Sequence, residues 1–152
     1  MINRKLLFLT IFVLILSKSV LSQQLVSVSA TKLDPGTQAG YTFVVETNQS
    51  IAPNAEFIIA FPSSFLLPNV KMTASKQMNG GLSVSSVNDS TVLVKRSGLG
   101  ETIAAGQSVD IFLASVINPD VMNSEFIFEI VHQENNQELS AIRSPHQIDS
   151  IQ

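Results

Sequence analysis

The side chains that could act in catalysis or bind a metal are few in this sequence. The chain of 152 residues has two histidines and no cysteine, which excludes thiolate zinc sites and cysteine nucleophiles. Neither His132 nor His146 stands in a HExxH or another paired-ligand motif. His132 follows Ile130 at a spacing of two, which places it at the end of one face of a predicted strand rather than on a metal.

Serines and carboxylates show no catalytic pattern either. No serine lies in a G-x-S-x-G elbow, and many serines alternate with valines, as on the polar face of a strand. The twelve carboxylates are spread singly, and no calcium-binding loop motif occurs. Gly80 and Gly81 lack the Lys-Ser/Thr context of a phosphate loop and predict a turn. We therefore expect no catalytic residue, no metal site, no cofactor and no enzymatic activity.

Two sequons indicate a different chemistry, the attachment of N-linked glycans. Asn48-Gln49-Ser50 follows a predicted strand, and Asn88-Asp89-Ser90 lies in a predicted hairpin turn. Asn118 is followed by Pro119 and is therefore not an acceptor. We predict glycosylation at Asn48 and Asn88, provided that the chain enters the secretory route.

The N-terminal segment predicts that route. Arg4 and Lys5 precede an apolar run, Leu6–Leu16, of about eleven residues, which is shorter than the roughly 20 residues of a spanning helix. Val20 and Ser22 are small enough for the −3 and −1 positions of a cleavage site. We predict a signal peptide over residues 1–22, with an uncleaved anchor as the alternative, and no membrane span in the mature chain.

Charge and length limit the function classes of the remaining residues, 23–152. Removal of Arg4, Lys5 and Lys18 leaves six basic residues against twelve acidic ones, a net charge of −6. A scattered acidic surface of this kind does not favour nucleic-acid binding, which needs clustered basic residues. The 130 residues suit a single domain that is stabilised by its core, because no cysteine is present to form a disulfide.

Hydrophobic alternation with a period of two predicts the fold of this domain. In YTFVVET, Tyr41, Phe43 and Val45 share one face of a strand, and Ala104–Asp120 contains another such strand between a Gly turn and a Pro turn. Turn residues recur every eight to twelve positions, and no amphipathic helix is evident. The pattern predicts an all-β, antiparallel sandwich of seven to nine strands.

Aromatic residues bear on ligand binding. Sugar-binding sandwiches commonly expose Trp or Tyr, whereas this chain has no Trp and one Tyr. Most of its nine phenylalanines alternate with polar residues, as core side chains do. In FPSSFLLP, however, Phe65, Leu66 and Leu67 are consecutive, which predicts either a plug over one end of the sandwich or an exposed contact patch for a partner.

Four segments occur in an order that resembles a known type of module. They are TKLDPGTQAGYTFVVET, IAPNAEFIIAFPSSF, IAAGQSVDIFLASVINPD and SEFIFEIV. Together, over Leu25 to Ile142, they resemble the repeated extracellular β-sandwich modules of ciliate cell-surface proteins. The resemblance implies an immunoglobulin-like fold and a structural role at the cell surface, and it carries over no catalytic residue. Such modules stand in long arrays, often with a membrane anchor, whereas this sequence holds one module.

These observations lead to two functional hypotheses. The first is a secreted, non-catalytic structural or adhesive module of an extracellular or cell-surface coat, which contacts other extracellular proteins or itself. The alternative is a soluble extracellular module that binds a sugar or a peptide.

Overall fold

Strands account for all the long regular elements between residues 23 and 151, the part of the chain that the structure, a computed structural model, describes. The predicted signal peptide lies outside these residues. Ten strands follow one another: β1 Gln24–Ala30, β2 Gln38–Glu46, β3 Glu56–Ala60, β4 Thr73–Ala74, β5 Leu82–Val87, β6 Thr91–Arg96, β7 Ser108–Ile117, β8 Phe126–Glu134, β9 Gln137–His146 and β10 Ile148–Ser150.

The strands form two five-stranded sheets that pack face to face. The first sheet has the order β10-β1-β2-β7-β4, and the second has the order β5-β6-β3-β8-β9. All neighbouring strands are antiparallel except β1 and β10. The predicted antiparallel, immunoglobulin-like sandwich is confirmed. Of the ten strands, β4 and β10 have two and three residues, so the eight longer ones match the predicted seven to nine.

Period-two alternation decides which side chains face inward. Along β2, Tyr41, Phe43 and Val45 are buried, while Thr42 and Val44 on the opposite face remain partly exposed. The alternation in β7 is interrupted opposite Gly40, where the partner residues jump from Leu113 to Val116. Ser115 takes a φ of 68° within this bulge. The bulge shifts the register so that both ends of the strand keep their apolar side chains inward.

Six aromatic rings join the two sheets at the centre of the core. Tyr41 and Phe43 come from the first sheet, Phe126 and Phe128 from the second, and Phe61 and Phe65 from the segment after β3. Neighbouring ring centroids lie 5.0–6.5 Å apart, and six of these nine contacts are edge-to-face. This geometry is favourable for aromatic pairs beyond the area that they bury.

A buried hydrogen-bond network closes one end of the sandwich. The Tyr41 hydroxyl donates to Asn118 Oδ1 over 2.5 Å, and Asn118 Nδ2 donates to the carbonyls of Lys32 and Asp34. Burial raises the pKa of Tyr41 above its usual range, so the phenol stays a hydrogen-bond donor. Asn118 thereby connects the end of β7 to the β1–β2 loop.

Arg96 organises the opposite end. Its side chain is only 4% exposed, and its guanidinium donates to four carbonyl oxygens, those of Ile51, Ala52, Asn79 and Glu101, at 2.7–3.3 Å. A Cβ on Gly100 would lie 2.6 Å from Arg96 Nη2 and 2.1 Å from the Asn79 oxygen, so this approach requires glycine. The buried guanidinium of Arg96 therefore connects three loops, those between β2 and β3, β4 and β5, and β6 and β7.

We predict that Arg96→Lys lowers the free energy of unfolding by about 3 kcal/mol, because hydrogen bonds to a buried charge are each worth about 1.5–3 kcal/mol. A lysine ammonium lacks the planar fork that reaches four carbonyls at once. Urea denaturation measures the loss. The neighbouring, half-exposed Lys95 provides the control, since Lys95→Met should change stability by less than about 1 kcal/mol. Equal stability of Arg96→Lys and the wild type would contradict this role.

Candidate interaction surface

The two predicted glycosylation sites lie at opposite ends of the sandwich. Asn88 is exposed at the β5–β6 hairpin, beside the C-terminal end of β3. Asn48 lies in the loop that leads into β3 and is partly buried, with its Oδ1 atom enclosed by protein. The hairpin position is therefore the more accessible acceptor.

The predicted patch of Phe65, Leu66 and Leu67 is corrected by the structure. Phe65 is fully buried among the core rings, Leu67 is 3% exposed, and Leu66 alone is exposed, at 55%. The Phe65 N–H donates a hydrogen bond to the Pro62 carbonyl, and this turn directs the side chains of Phe65 and Leu67 inward. This segment is thus mainly a plug over the end of the core. Leu66 borders a depression of about 470 Å³ that also includes Val87 and Asn88.

His132 occupies the inner face of β8, as its spacing from Ile130 predicted. It is fully buried and stacks on Phe57, with ring centroids 5.2 Å apart and an angle of 18° between the planes. Neither ring nitrogen has a hydrogen-bond partner among the described residues, and Glu134 Oε1 lies 3.7 Å from Nε2. Burial lowers the pKa of His132, and the Glu134 carboxylate offsets only part of this effect. This histidine is a neutral core residue at pH 7.

The other histidine is also engaged locally. His146 Nε2 lies 2.9 Å from the Ser144 hydroxyl, two residues earlier on β9. Within residues 23–151, no group of three or more His, Asp or Glu side chains is arranged to hold a metal ion.

An outward-facing apolar row crosses four strands of the second sheet. Ile58 on β3 is the cross-strand partner of Leu93 on β6 and of Val131 on β8, and Val131 is the partner of Ala141 on β9. We call these four side chains the apolar row. The first three are partly exposed and Ala141 is exposed. An aligned row of apolar side chains on the solvent side of a sheet is a feature of contact surfaces.

Polar side chains, with the exception of Ala60, border the apolar row on both sides. The next register level in one direction consists of Lys95, Glu56, Gln133 and Glu138. The next level in the other direction consists of Thr91, Ala60, Glu129 and Arg143.

Two of the three charges on the first of these levels, Lys95 and Glu56, are paired within the chain. Glu56 accepts from Lys95 Nζ at 2.5 Å and from Gln133 Nε2 at 2.7 Å. These contacts, with the Lys95 hydrogen bond as the largest, lower the pKa of Glu56 despite its desolvation. The ion pairs found between residues 23 and 151 include neither Glu138 nor Arg143, both of which are exposed on β9.

A smaller depression lies on the outer face of the first sheet. The Phe112 ring lies so close to Gly40 that a Cβ there would be 2.6 Å from it, and the ring is only partly exposed. Thr42, Lys76 and Asp110 complete a depression of about 250 Å³ around the ring. The Asp110 carboxylate accepts hydrogen bonds from the Ser75 hydroxyl and the Lys76 N–H.

Sequence reasoning identified none of these outer faces as sites. Alternation alone shows that Ile58 and Val131 face away from Ile59 and Ile130, because successive side chains point to opposite faces. The apolar character of these two outward-facing residues was the signal in the sequence that could have indicated a contact surface. The order of strands in the sheet, which places Leu93, Ile58 and Val131 side by side, is not contained in that pattern.

Comparison with known proteins shows similarity in fold. No protein-family model matches the chain, and a search of curated proteins found no match. A cohesin module from a Clostridium perfringens family 33 glycoside hydrolase has a TM-score of 0.48 and 12% identity, over 82% of this chain and 97% of that one. A non-cellulosomal cohesin from the hyperthermophilic archaeon Archaeoglobus fulgidus has a TM-score of 0.47 and 10% identity, over 85% and 92%.

The collagen-binding subdomain of an Enterococcus faecalis surface protein has a TM-score of 0.44 and 15% identity, over 81% of this chain and 94% of that one. Such identities are too low to transfer a ligand or a partner. The resemblance to ciliate modules stays a prediction. Between residues 23 and 151, no helix has the length and apolar character needed to cross a membrane.

We predict that the buried His132 makes the protein less stable in mild acid. Its pKa is lower in the folded than in the unfolded chain, so the unfolded state binds more protons between the two pKa values. The free energy of unfolding is therefore highest above about pH 6.5 and falls as the pH decreases through the folded pKa, by about 1.4 kcal/mol for each unit in that window.

Urea denaturation at several pH values measures this dependence. His132→Phe, which keeps an aromatic ring against Phe57, should remove the decline that begins near pH 6.5, while His146→Gln should retain it. The contribution of Glu56 is lost only at lower pH, because its pKa lies below the usual value. An unchanged pH profile in His132→Phe would contradict the prediction.

Proposed function

We propose that this protein is a secreted, non-catalytic structural or adhesive module of an extracellular or cell-surface coat. It comprises a signal peptide over residues 1–22 and one β-sandwich domain over residues 23–152. Its contacts with other extracellular proteins are made through the outer face of the second sheet.

The apolar row is the observation that supports this proposal. Ile58, Leu93 and Val131 are adjacent on three neighbouring strands and lie partly exposed on the outer face of the sheet. The polar levels beside the row suit the polar rim of a protein interface. The charges are local and of both signs, which favours a protein partner over a phosphate backbone.

Glycans at Asn88 and Asn48 would fit this arrangement. Both sequons lie at the ends of the sandwich, and neither belongs to the apolar row or the levels beside it. Glycans there would leave the outer face of the second sheet free. A glycan on Asn88 would stand beside Leu66 and shield the exposed apolar side chain at that end.

Expression with the native leader in a eukaryotic host tests secretion and glycosylation together. We expect a protein in the medium that begins at Gln23 and whose intact mass falls after enzymatic removal of N-glycans. Asn88→Gln and Ser90→Ala should each remove the same glycan mass, since both destroy one sequon. Retention in membranes with residues 1–22 still attached would contradict the secreted assignment.

Retention on washed, intact cells of the source organism tests the adhesive role. Ile58→Lys adds a charge to the apolar row. The methylene groups of the lysine can still lie on the sheet at this half-exposed site, so we expect the fold to be kept. Ile58→Lys should reduce retention about tenfold or more, and Leu66→Ser, which removes an exposed apolar side chain elsewhere, should not. Loss of retention in both variants, or in neither, would argue against this face as the contact surface.

Sugar binding is the second candidate, because of the depression around Phe112. A partly exposed ring beside Thr42, Lys76 and Asp110 combines an apolar platform with hydrogen-bonding groups, as in carbohydrate sites. The single tyrosine, Tyr41, is fully buried and has no such role. If this candidate is correct, free sugar elutes the protein from immobilised glycans and Phe112→Ala abolishes binding. Unchanged binding by Phe112→Ala would exclude the depression.

A further inference from the structure

We propose that the partner of the outer face of the second sheet is the same face of a second copy of this chain. The inference rests on the proposed function, because it takes this face to be the contact surface. It adds the identity of the occupant and the symmetry of the contact.

The apolar row can pack against itself. A two-fold axis that runs along the row, in the plane between two sheets, places each of its side chains against the corresponding side chain of the second copy. Each strand then lies along its counterpart in the second copy and runs antiparallel to it, which is compatible with the aligned packing of twisted sheets. The contact is isologous and closes after two copies.

The charges beside the row are complementary under the same symmetry. The axis exchanges the two flanking levels, so Glu138 of one copy faces Arg143 of the other, and the reverse pair forms as well. Glu129 then faces Gln133, and Lys95 faces Thr91. Among these facing pairs, only Glu138 and Arg143 carry charges on both sides, and the two charges are opposite in sign.

Glu138 and Arg143, like Glu129, are charges on this face that form no ion pair among residues 23–151. Lys95 and Glu56 form an ion pair within the chain, whereas the ion pairs among residues 23–151 do not involve Glu138 or Arg143. Both lie on β9, which is paired on one side only, by β8. The two-fold arrangement gives each of these residues a partner.

The small area of the face predicts that the dimer is weak. Four strands about 4.8 Å apart and about five residues long form a surface of roughly 19 by 17 Å. This is roughly 300 Å² per copy, well below the roughly 800 Å² per partner of a standard interface. Such contacts become effective when many copies are held close together, as in a coat.

Sedimentation equilibrium of the purified protein, at concentrations up to about 1 mM, tests the proposal. We expect reversible dimerisation that Arg143→Glu weakens at least tenfold, because two carboxylates would then face each other across the contact. Glu138→Arg should weaken it similarly. The double variant Glu138→Arg/Arg143→Glu should restore the wild-type dissociation constant, since the pair is reversed but kept.

Two controls separate the contact from general effects. Glu101→Arg reverses an exposed charge in a loop and should leave dimerisation unchanged. Thermal unfolding of each variant shows whether the monomer is intact, because Arg143 lies opposite Glu129 within the sheet.

A monomeric wild type at about 1 mM would overturn the second copy as partner. If Ile58→Lys still lost cell retention in that case, the adhesive function would stand with a different protein as partner. Dimerisation that the double variant does not restore would overturn the two-fold arrangement described here.

Discussion

The packing of aromatic rings between the two sheets is the contact on which the rest of the fold depends. No cysteine is present, so no disulfide joins the sheets. Phe43 and Phe128 meet across the sandwich with centroids 5.4 Å apart, and Phe65 reaches the same cluster from the segment after β3. This arrangement fixes which face of each strand is inside. It therefore also determines that Ile58 and Val131 are left on the outside, where they become available to a partner.

Different side chains form hydrogen bonds with the buried backbone carbonyls at the two ends of the sandwich. At one end Asn118 joins the Tyr41 hydroxyl to two loop carbonyls. At the other end Arg96 donates to four carbonyls from three loops. Both side chains satisfy groups that would otherwise be costly to bury. The functional proposal rests on a sheet face rather than on either end.

Strand positions were predictable from the sequence because the alternation is regular and the turns carry Gly, Pro or Asn. Three features of the structure could not be predicted from the sequence. Phe65 and Leu67 point inward because of a turn in a segment without periodicity. Strand β9 continues through Pro145 because β9 is an edge strand that pairs only with β8. An edge strand tolerates a proline, which has no backbone N–H to donate. The apolar row depends on strand order, and neighbours across strands are set by topology rather than by local pattern.

The proposal reaches furthest in its statement that two copies of this protein contact each other through the outer face of the second sheet. Amide chemical shifts of isotope-labelled protein, followed as the concentration is raised to about 1 mM, test it most directly. We expect progressive shifts on β3, β6, β8 and β9, centred on Ile58, Val131 and Arg143. Shifts confined to the end around Leu66 and Asn88, or no shifts at all, would contradict it.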